Sequence, residues 1–312
     1  MNYEIISKNP SQFLALTSLH PPEFEILLEN FAPVCEKYFR YRTLEGKRRK
    51  IVTSSEHGNA KLRGSAQKLF FLLVYLKTNT LQAHQAASFG ISQPKVSRLS
   101  GLLLSLLNDT LSGMQLPPFR DGAILSSQLA QHPSKIFLYD GLERGILRNA
   151  CDQAQEQEYS GKKKGHRVKN NVLCDQTQYI HYLSPTETGS VHDHKIAQEY
   201  PLTLPKGSVL KQDLGFLGHC PADVIVEMPF KTPKNGQLDF GQKLYNKILS
   251  STRVVIEHAN SGVKRLKMVK DTVRIHSTLF RDQLIVVACA LHNFRVLSPY
   301  RDYKNLEACA LF

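Results

Sequence analysis

The stretch RVVIEHANSGVK, residues 253–264, decides how the rest of the chain is read. Arg253 and Glu257 stand four apart and Lys264 lies seven beyond Glu257, so on a helix all three fall along one face. Two upstream acids each close an apolar run: Asp140 ends KIFLYD (135–140) and Asp213 ends SVLKQD (208–213). An acid at the end of a strand, another at the end of a later strand and a Glu on a following helix are able to converge. Three converging carboxylates hold two divalent metal ions about 3.5–4 Å apart, the arrangement used for in-line attack on phosphodiesters.

Each acid also has a plainer reading. Asp140 precedes Gly141, which suits a turn-capping aspartate as well as a ligand site beyond a strand end. Asp213 is followed by LGFLGH, whose two glycines let backbone approach closely. Glu257 sits among Val254, Val255, Ile256 and Ala259, where its plainer role is an i, i+4 pair with Arg253. Such a pair stabilises a helix by only about 0.2–0.5 kcal/mol. The ordered combination, rather than any one residue, points to metal chemistry.

Composition narrows the partner. The 312 residues carry a net charge of +13, which raises the prior for nucleic-acid binding. Between Arg42 and Arg98 eleven Lys/Arg face two acids, so +9 of that charge sits in the N-terminal third. The longest apolar runs, FFLLVYL (70–76) and LIVVACAL (284–291), are too short to span a bilayer, and MNYEIISKNP lacks the features of a signal peptide. A cytoplasmic, nucleoid-associated protein with no membrane contact is expected, nuclear if the source is eukaryotic. The six cysteines are scattered, with no CxxC pair and no His at zinc-finger spacing, and read as reduced thiols.

The chain divides by pattern. Residues 1–117 read as an all-α DNA-binding domain, with short helices over 1–45 and a basic loop or arm at 46–65. A helix-turn-helix is expected at about 66–107: an apolar helix, a second helix, a tight turn at Phe89-Gly90-Ile91, and a third helix capped by Ser92. There Val96, Leu99, Leu102 and Leu103 face inward, while Gln93, Lys95, Ser97 and Arg98 stay polar where a recognition helix meets base edges and phosphates. A helical hairpin without DNA contact is the plainer alternative. Residues 118–134 read as a linker and 135–312 as the catalytic domain.

In that second domain five strands are expected: 135–140, an antiparallel pair at 168–175 and 178–185, then 208–213 and 222–229. A helix opened by Ser190 covers 190–200, a long helix spans about 241–269, and a buried helix covers 277–296. Three strands, helix, two strands, helix is the order of a ribonuclease-H-like α/β fold, a mixed five-stranded sheet with helices. YSGKKKGHRVK (159–169) is a basic excursion, and Lys162, Lys163 and Lys164 read as phosphate contacts or a solvated hairpin. Asp193 is a competing acid, but a first-turn position suits a helix-dipole role. Asp239, in a turn-like NGQLDFGQ segment, is left out of the site.

These segments together resemble DDE transposases of the insertion-sequence-five and Harbinger type, from about residue 66 to 296. The matching blocks are DGLER (140–144), DLGFLG (213–218) and RVVIEHANSGVK (253–264), joined by YSGKKKGHRVKN (159–170), GSVHDHK (189–195) and LHNFRV (291–296). The resemblance implies a ribonuclease-H-like domain in which Asp140, Asp213 and Glu257 bind two Mg²⁺ ions, with Mn²⁺ able to substitute, while Arg253 and Lys264 hold DNA phosphates. It implies cleavage at terminal inverted repeats, transfer of 3′ ends into target DNA, and a homodimer or higher oligomer. In one departure, Ser250 stands where relatives carry a Tyr three positions before the Arg, and Tyr245 is the nearest tyrosine. A transposase-derived DNA-binding protein without strand transfer, and a stand-alone metal-dependent nuclease, remain the alternative readings.

Overall fold

The computed structural model describes residues 1–52 and 60–300, and the chain forms two compact units. The first is helical and includes Met1–Pro117. It opens with α1 (Tyr3–Ile6), α2 (Pro10–Thr17) and α3 (Pro21–Tyr41). α3 covers the run EFEILLENFAPVCEKYFRY, whose apolar positions recur at helical spacing, and it passes through Pro33, which forfeits one backbone hydrogen bond without ending the helix. Part of the basic segment expected as a loop or arm, residues 53–59, lies outside the described residues.

α4 (Gly64–Thr78) is buried continuously from Lys68 to Leu76, as a helix apolar on all sides must be. Phe70 of α4 stacks on Phe13 at 5.8 Å between ring centroids, and Phe13 meets Phe24 edge-on at 5.2 Å. Each buried ring stabilises by about 1.5–3 kcal/mol. α5 (Gln82–Phe89) and α6 (Gln93–Gly113) complete the helix-turn-helix. Gly90 joins them at φ 66°, a left-handed conformation that costs a glycine nothing, and the Ile91 amide returns to the Ala86 carbonyl at 3.0 Å. Ser92 holds the N-cap position but its side chain makes no capping hydrogen bond, contrary to expectation. Pro94 in the first turn already leaves one amide fewer to satisfy. Val96, Leu99 and Leu103 are buried as expected, whereas Leu102 is half-buried.

The second unit is an α/β layer. Residues 118–134, expected as a linker, are built into it: Phe119 exchanges backbone hydrogen bonds with His181 and Leu183, and α7 (Leu125–Gln128) places Leu125 in the core. Then come β1 (Ile136–Gly145), α8 (Asp152–Glu158), β2 (Tyr159–Ser160), β3 (Gly165–Asp175), β4 (Ile180–Leu183) and β5 (Glu187–Thr188). α9 (Asp193–Glu199), β6 (Val209–Lys211), β7 (Ile225–Glu227) and α10 (Phe240–Val263) follow. The sheet runs β2-β3-β1-β6-β7, with β4 and β5 also on β3. β1 is antiparallel to β3 and parallel to β6, which is parallel to β7. The sheet is mixed and seven-stranded rather than five-stranded, because β2 and β5 add two residues each. The class is the α/β, ribonuclease-H-like one expected.

The faces of β1 divide the labour. Phe137 and Tyr139 point into a core with Leu173, Tyr182, Leu210 and Phe216. The alternate residues Leu138, Asp140 and Leu142 take the other face. α9 starts at Asp193, with His192 rather than Ser190 at the cap. The helix expected over 241–269 is interrupted: α10 ends at Val263, and α11 (Lys267–Lys270) is separate. α11 and the buried α12 (Thr278–Leu297) belong to the helical unit, where they pack on α4 and α6. No described helix is long and apolar enough to cross a membrane.

Candidate active site

β1 and β6 pair in parallel only through Leu138–Lys211. Continuing that register by two residues sets Asp213 level with Asp140. The two acids therefore face each other where the strands part and leave an open edge. Contrary to the expectation from the sequence, Asp140 does not end its strand; β1 runs on to Gly145 along β3. Asp213 lies two residues past the end of β6, where its Oδ1 accepts the Gly215 amide at 2.8 Å and caps a 3-10 turn. That turn is held by Gln212, whose Nε2 donates to the His219 carbonyl at 2.7 Å while His219 Nδ1 donates to Gln212 Oε1 at 3.0 Å. Burial drives the His219 pKa down to about 4, aided by nearby His194, so the ring is neutral.

The carboxyl of Asp140 is pushed up to about 6, first by burial and then by the negative field of Asp213; the Arg253 guanidinium pulls it back. α10 thus presents the Arg253–Asn260 face of RVVIEHANSGVK toward β1. Asn260 Nδ2 donates to Asp140 Oδ2 at 3.1 Å. Arg253 and Asn260 flank Glu257 along that face, one turn to either side. Glu257 itself is exposed, and among the described residues it forms no ion pair with Arg253. The plainer i, i+4 reading is therefore not realised. Lys264 lies one residue beyond α10.

Sequence reasoning set Asp193 aside and did not single out Lys169, Glu143 or Asn260. In the structure a Cβ on Gly141 would meet the Asp193 carboxyl carbon at 2.8 Å, so the glycine is what lets Asp193 lie against β1 beside Asp140. Burial raises the Asp193 pKa, opposed by Lys169 and Lys162 and reinforced by Glu143 and Asp213. Lys169, itself buried, stands 3.4 Å from Glu143 and 3.6 Å from Asp193 and donates to the Val191 carbonyl. The only sequence signal for this cluster was charge at alternate positions of β3, which pairing with β1 turns into contact. Within DGLER, Arg144 is fully buried and donates to Asn170 at 2.7 Å, a structural role. Lys162, Lys163 and Lys164 are exposed on the β2–β3 turn, and Lys162 is close enough to act on Asp193.

The residues suit a hard divalent cation. Asp140 and Asp213 repel each other in a partly buried site; among the described residues the buried Asn260 Oδ1 has no hydrogen-bond partner, and Asp193 Oδ1 has only Lys169 at 3.6 Å. A divalent ion would relieve both conditions with the oxygen donors such ions prefer. Asp239, by contrast, is spent on capping α10: its Oδ1 accepts the Gln242 amide at 2.7 Å. Tyr245 packs edge-on against Phe230 at 5.3 Å.

In the helical unit, Gln93, Ser97 and Arg98 are exposed and Lys95 half-exposed at the start of α6. Arg98 is engaged by Glu45 at 2.8 Å, both side chains about half exposed.

Comparison with known proteins agrees with these features. Residues 139–293 match the family model described as DDE superfamily endonuclease, and residues 60–113 match the helix-turn-helix of DDE superfamily endonuclease. A probable transposase for insertion sequence element IS702 from Microchaete diplosiphon is 24% identical over 214 residues, covering 66% of this chain and 72% of that protein. No solved structure gives a significant match. Residues 139–293 thus resemble a DDE superfamily endonuclease domain, and residues 60–113 the helix-turn-helix of the same superfamily.

Proposed function

We propose that this protein is a transposase of the insertion-sequence-five and Harbinger type that cleaves double-stranded DNA at the ends of its own element and transfers the 3′ ends to a target. The observation that carries the reading is the pair Asp140 and Asp213, level across the parting strands and electrostatically coupled, with Arg253 beside them. Asp140, Asp213 and Glu257 would hold two Mg²⁺ ions, or Mn²⁺ in their place. When bound, such ions supply an activated water or DNA 3′-hydroxyl and stabilise the leaving oxygen.

The chain's own groups do the rest. Asn260 fixes the orientation of Asp140 through its amide. Arg253 offers a planar fork to a phosphate, and Lys264 a point charge. Lys162, Lys163 and Lys164 grip the backbone of the DNA being cut. In the helical unit, Gln93, Lys95, Ser97 and Arg98 read the terminal inverted repeats from the N-terminal end of α6. Two ends must be handled together, so a homodimer or larger assembly performs the reaction, on the nucleoid or in a nucleus.

The test is cleavage of DNA carrying the gene's own flanking ends, with wild type beside Asp140→Asn. Mg²⁺-dependent nicking at the boundary, absent from the variant, supports the proposal. Specific binding without cleavage favours the DNA-binding alternative, and cleavage indifferent to the terminal repeats favours a stand-alone nuclease.

A further inference from the structure

A second cluster in the α/β unit is independent of the acids described above. His132, just before β1, Asp175, at the end of β3, and His181, on β4, bring one ligand atom each to within 4.8 Å of one another. His132 Nε2 lies 3.3 Å and His181 Nε2 2.9 Å from the same oxygen, Asp175 Oδ2. Asp175 pairs with Phe137, three residues from Asp140 along β1. Side chains alternate faces along a strand, so this cluster and Asp140 occupy opposite faces of the sheet.

We infer that His132, Asp175 and His181 form a zinc-class divalent metal site with three protein ligands and one position for water. Three observations support it. A tetrahedral zinc with bonds of about 2.0–2.1 Å separates its ligand atoms by about 3.3 Å, near the 3.3 and 2.9 Å from the two imidazoles to Asp175 Oδ2. Asp175 Oδ1 is already committed to the Thr177 amide at 2.7 Å, the Thr177 hydroxyl at 2.6 Å and the Tyr179 amide at 3.2 Å, which turns Oδ2 alone toward the imidazoles. The Ser134 backbone anchors His132 Nδ1, with the carbonyl at 3.1 Å and the amide at 3.2 Å, and so turns Nε2 toward Asp175.

Charge gives the physical motive. The Asp175 side chain is only 2% exposed, and its ion-pair partners among the described residues are the two imidazoles. Hydrogen bonds from Thr177 and Tyr179 satisfy Oδ1, and a divalent ion at Oδ2 would add the positive charge that a buried carboxylate favours. His132 retains 21% exposure, which gives a water access to the fourth position. The bound ion clips the segment entering β1 to the β3–β4 turn. Imidazole and carboxylate donors suit zinc rather than Mg²⁺, which prefers all-oxygen ligands.

Cobalt is the probe. The full chain, freed of metal by dialysis against a chelator, is titrated with Co²⁺, whose tetrahedral complexes absorb strongly in the visible. One equivalent with a tetrahedral spectrum is expected, displaced by Zn²⁺, unchanged in Asp140→Asn and abolished in His132→Ala. His132→Cys, which supplies a thiolate, should restore binding with a new sulfur-to-cobalt band. Circular dichroism of each variant confirms that it is folded. A wild type without the tetrahedral spectrum, or a spectrum lost in Asp140→Asn and retained in His132→Ala, overturns the assignment and leaves a hydrogen-bonded triad.

Discussion

Asn260 donates its side-chain amide to Asp140 across 3.1 Å, tying the C-terminal half of α10 to the middle of β1. The bond joins residues far apart in sequence, and it orients a carboxylate that is also under the fields of Asp213 and Arg253. Loss of such an outer contact typically costs 10- to 100-fold in metal affinity or activity. Asn260→Ala should lower Mg²⁺ affinity by about that range while leaving the helix-turn-helix unit's DNA binding unchanged. Removing the donor also raises the Asp140 pKa further, so the acid limb of the cleavage profile should move to higher pH. An unmoved limb would show that Asn260 is a packing residue only.

Asp140 makes a pH prediction for the metal-free protein. Its folded pKa is raised from the ordinary 3.8 to about 6, so the folded state binds the proton more tightly than the unfolded state. The associated stability is complete below the unfolded value and is lost as pH rises through about 6. In chelator, thermal stability should therefore fall between about pH 4 and 6, by about 1–3 kcal/mol from this group. Asp140→Asn should flatten that part of the profile. Mg²⁺ should stabilise wild type more above pH 6 than below it, since binding needs the ionised carboxylate.

Glu257 is exposed on α10, and no ion pair ties it to Arg253. Surface substitutions of this kind usually change stability by no more than about 0.5 kcal/mol. Glu257→Gln should therefore melt like wild type yet lose detectable DNA cleavage. Wild-type cleavage by the folded variant would remove Glu257 from the proposed metal site.

Gly141 admits the Asp193 carboxylate, which a Cβ would meet at 2.8 Å. Gly141→Ala should displace Asp193 or bend β1, destabilising by about 1–3 kcal/mol as overpacking does. Asp193→Ala in the same background should recover part of that loss, because it removes the clash. Additive losses measured by denaturant titration would show that the contact is not the source of the constraint.

Arg98 is held by Glu45 across 2.8 Å at the surface of the helical unit. DNA phosphate must compete with that carboxylate. Glu45→Gln should bind terminal-repeat DNA several-fold more tightly at fixed salt, and Arg98→Ala should weaken it and reduce the salt slope by about one phosphate contact. Equal affinities for all three proteins would remove this face of α6 from the DNA interface.

Much of the architecture was legible because it depends on local order. The apolar run in KIFLYD and the paired runs at 168–175 and 178–185 gave strands; FGIS gave the turn between α5 and α6 through the conformational freedom of Gly90. The misread boundaries share a cause. Asp140 looked like a strand end because polar residues follow it, yet Gly141–Gly145 stay in β1, sustained by pairing with β3. Residues 118–134 looked like a linker because they lack periodicity, but Leu125 and Leu129 bury into the sheet core one side chain at a time. The sequence likewise could not tell that α12 packs with helices from the opposite end of the chain.

By itself the sequence determined the types and order of the elements, the basic N-terminal third and the candidate acids, since these follow from residue chemistry and from the helical and strand periods. Only the tertiary structure decided the company those acids keep. Strand register set Asp213 level with Asp140, helix docking brought Asn260 rather than Glu257 into hydrogen-bonding contact with Asp140, and pairing with β1 delivered Lys169 to Glu143 and Asp193. Distance in sequence carries no information about such encounters. Register and packing fix them: a shift of a single residue along a strand would turn Asp140 or Lys169 to the other face of the sheet.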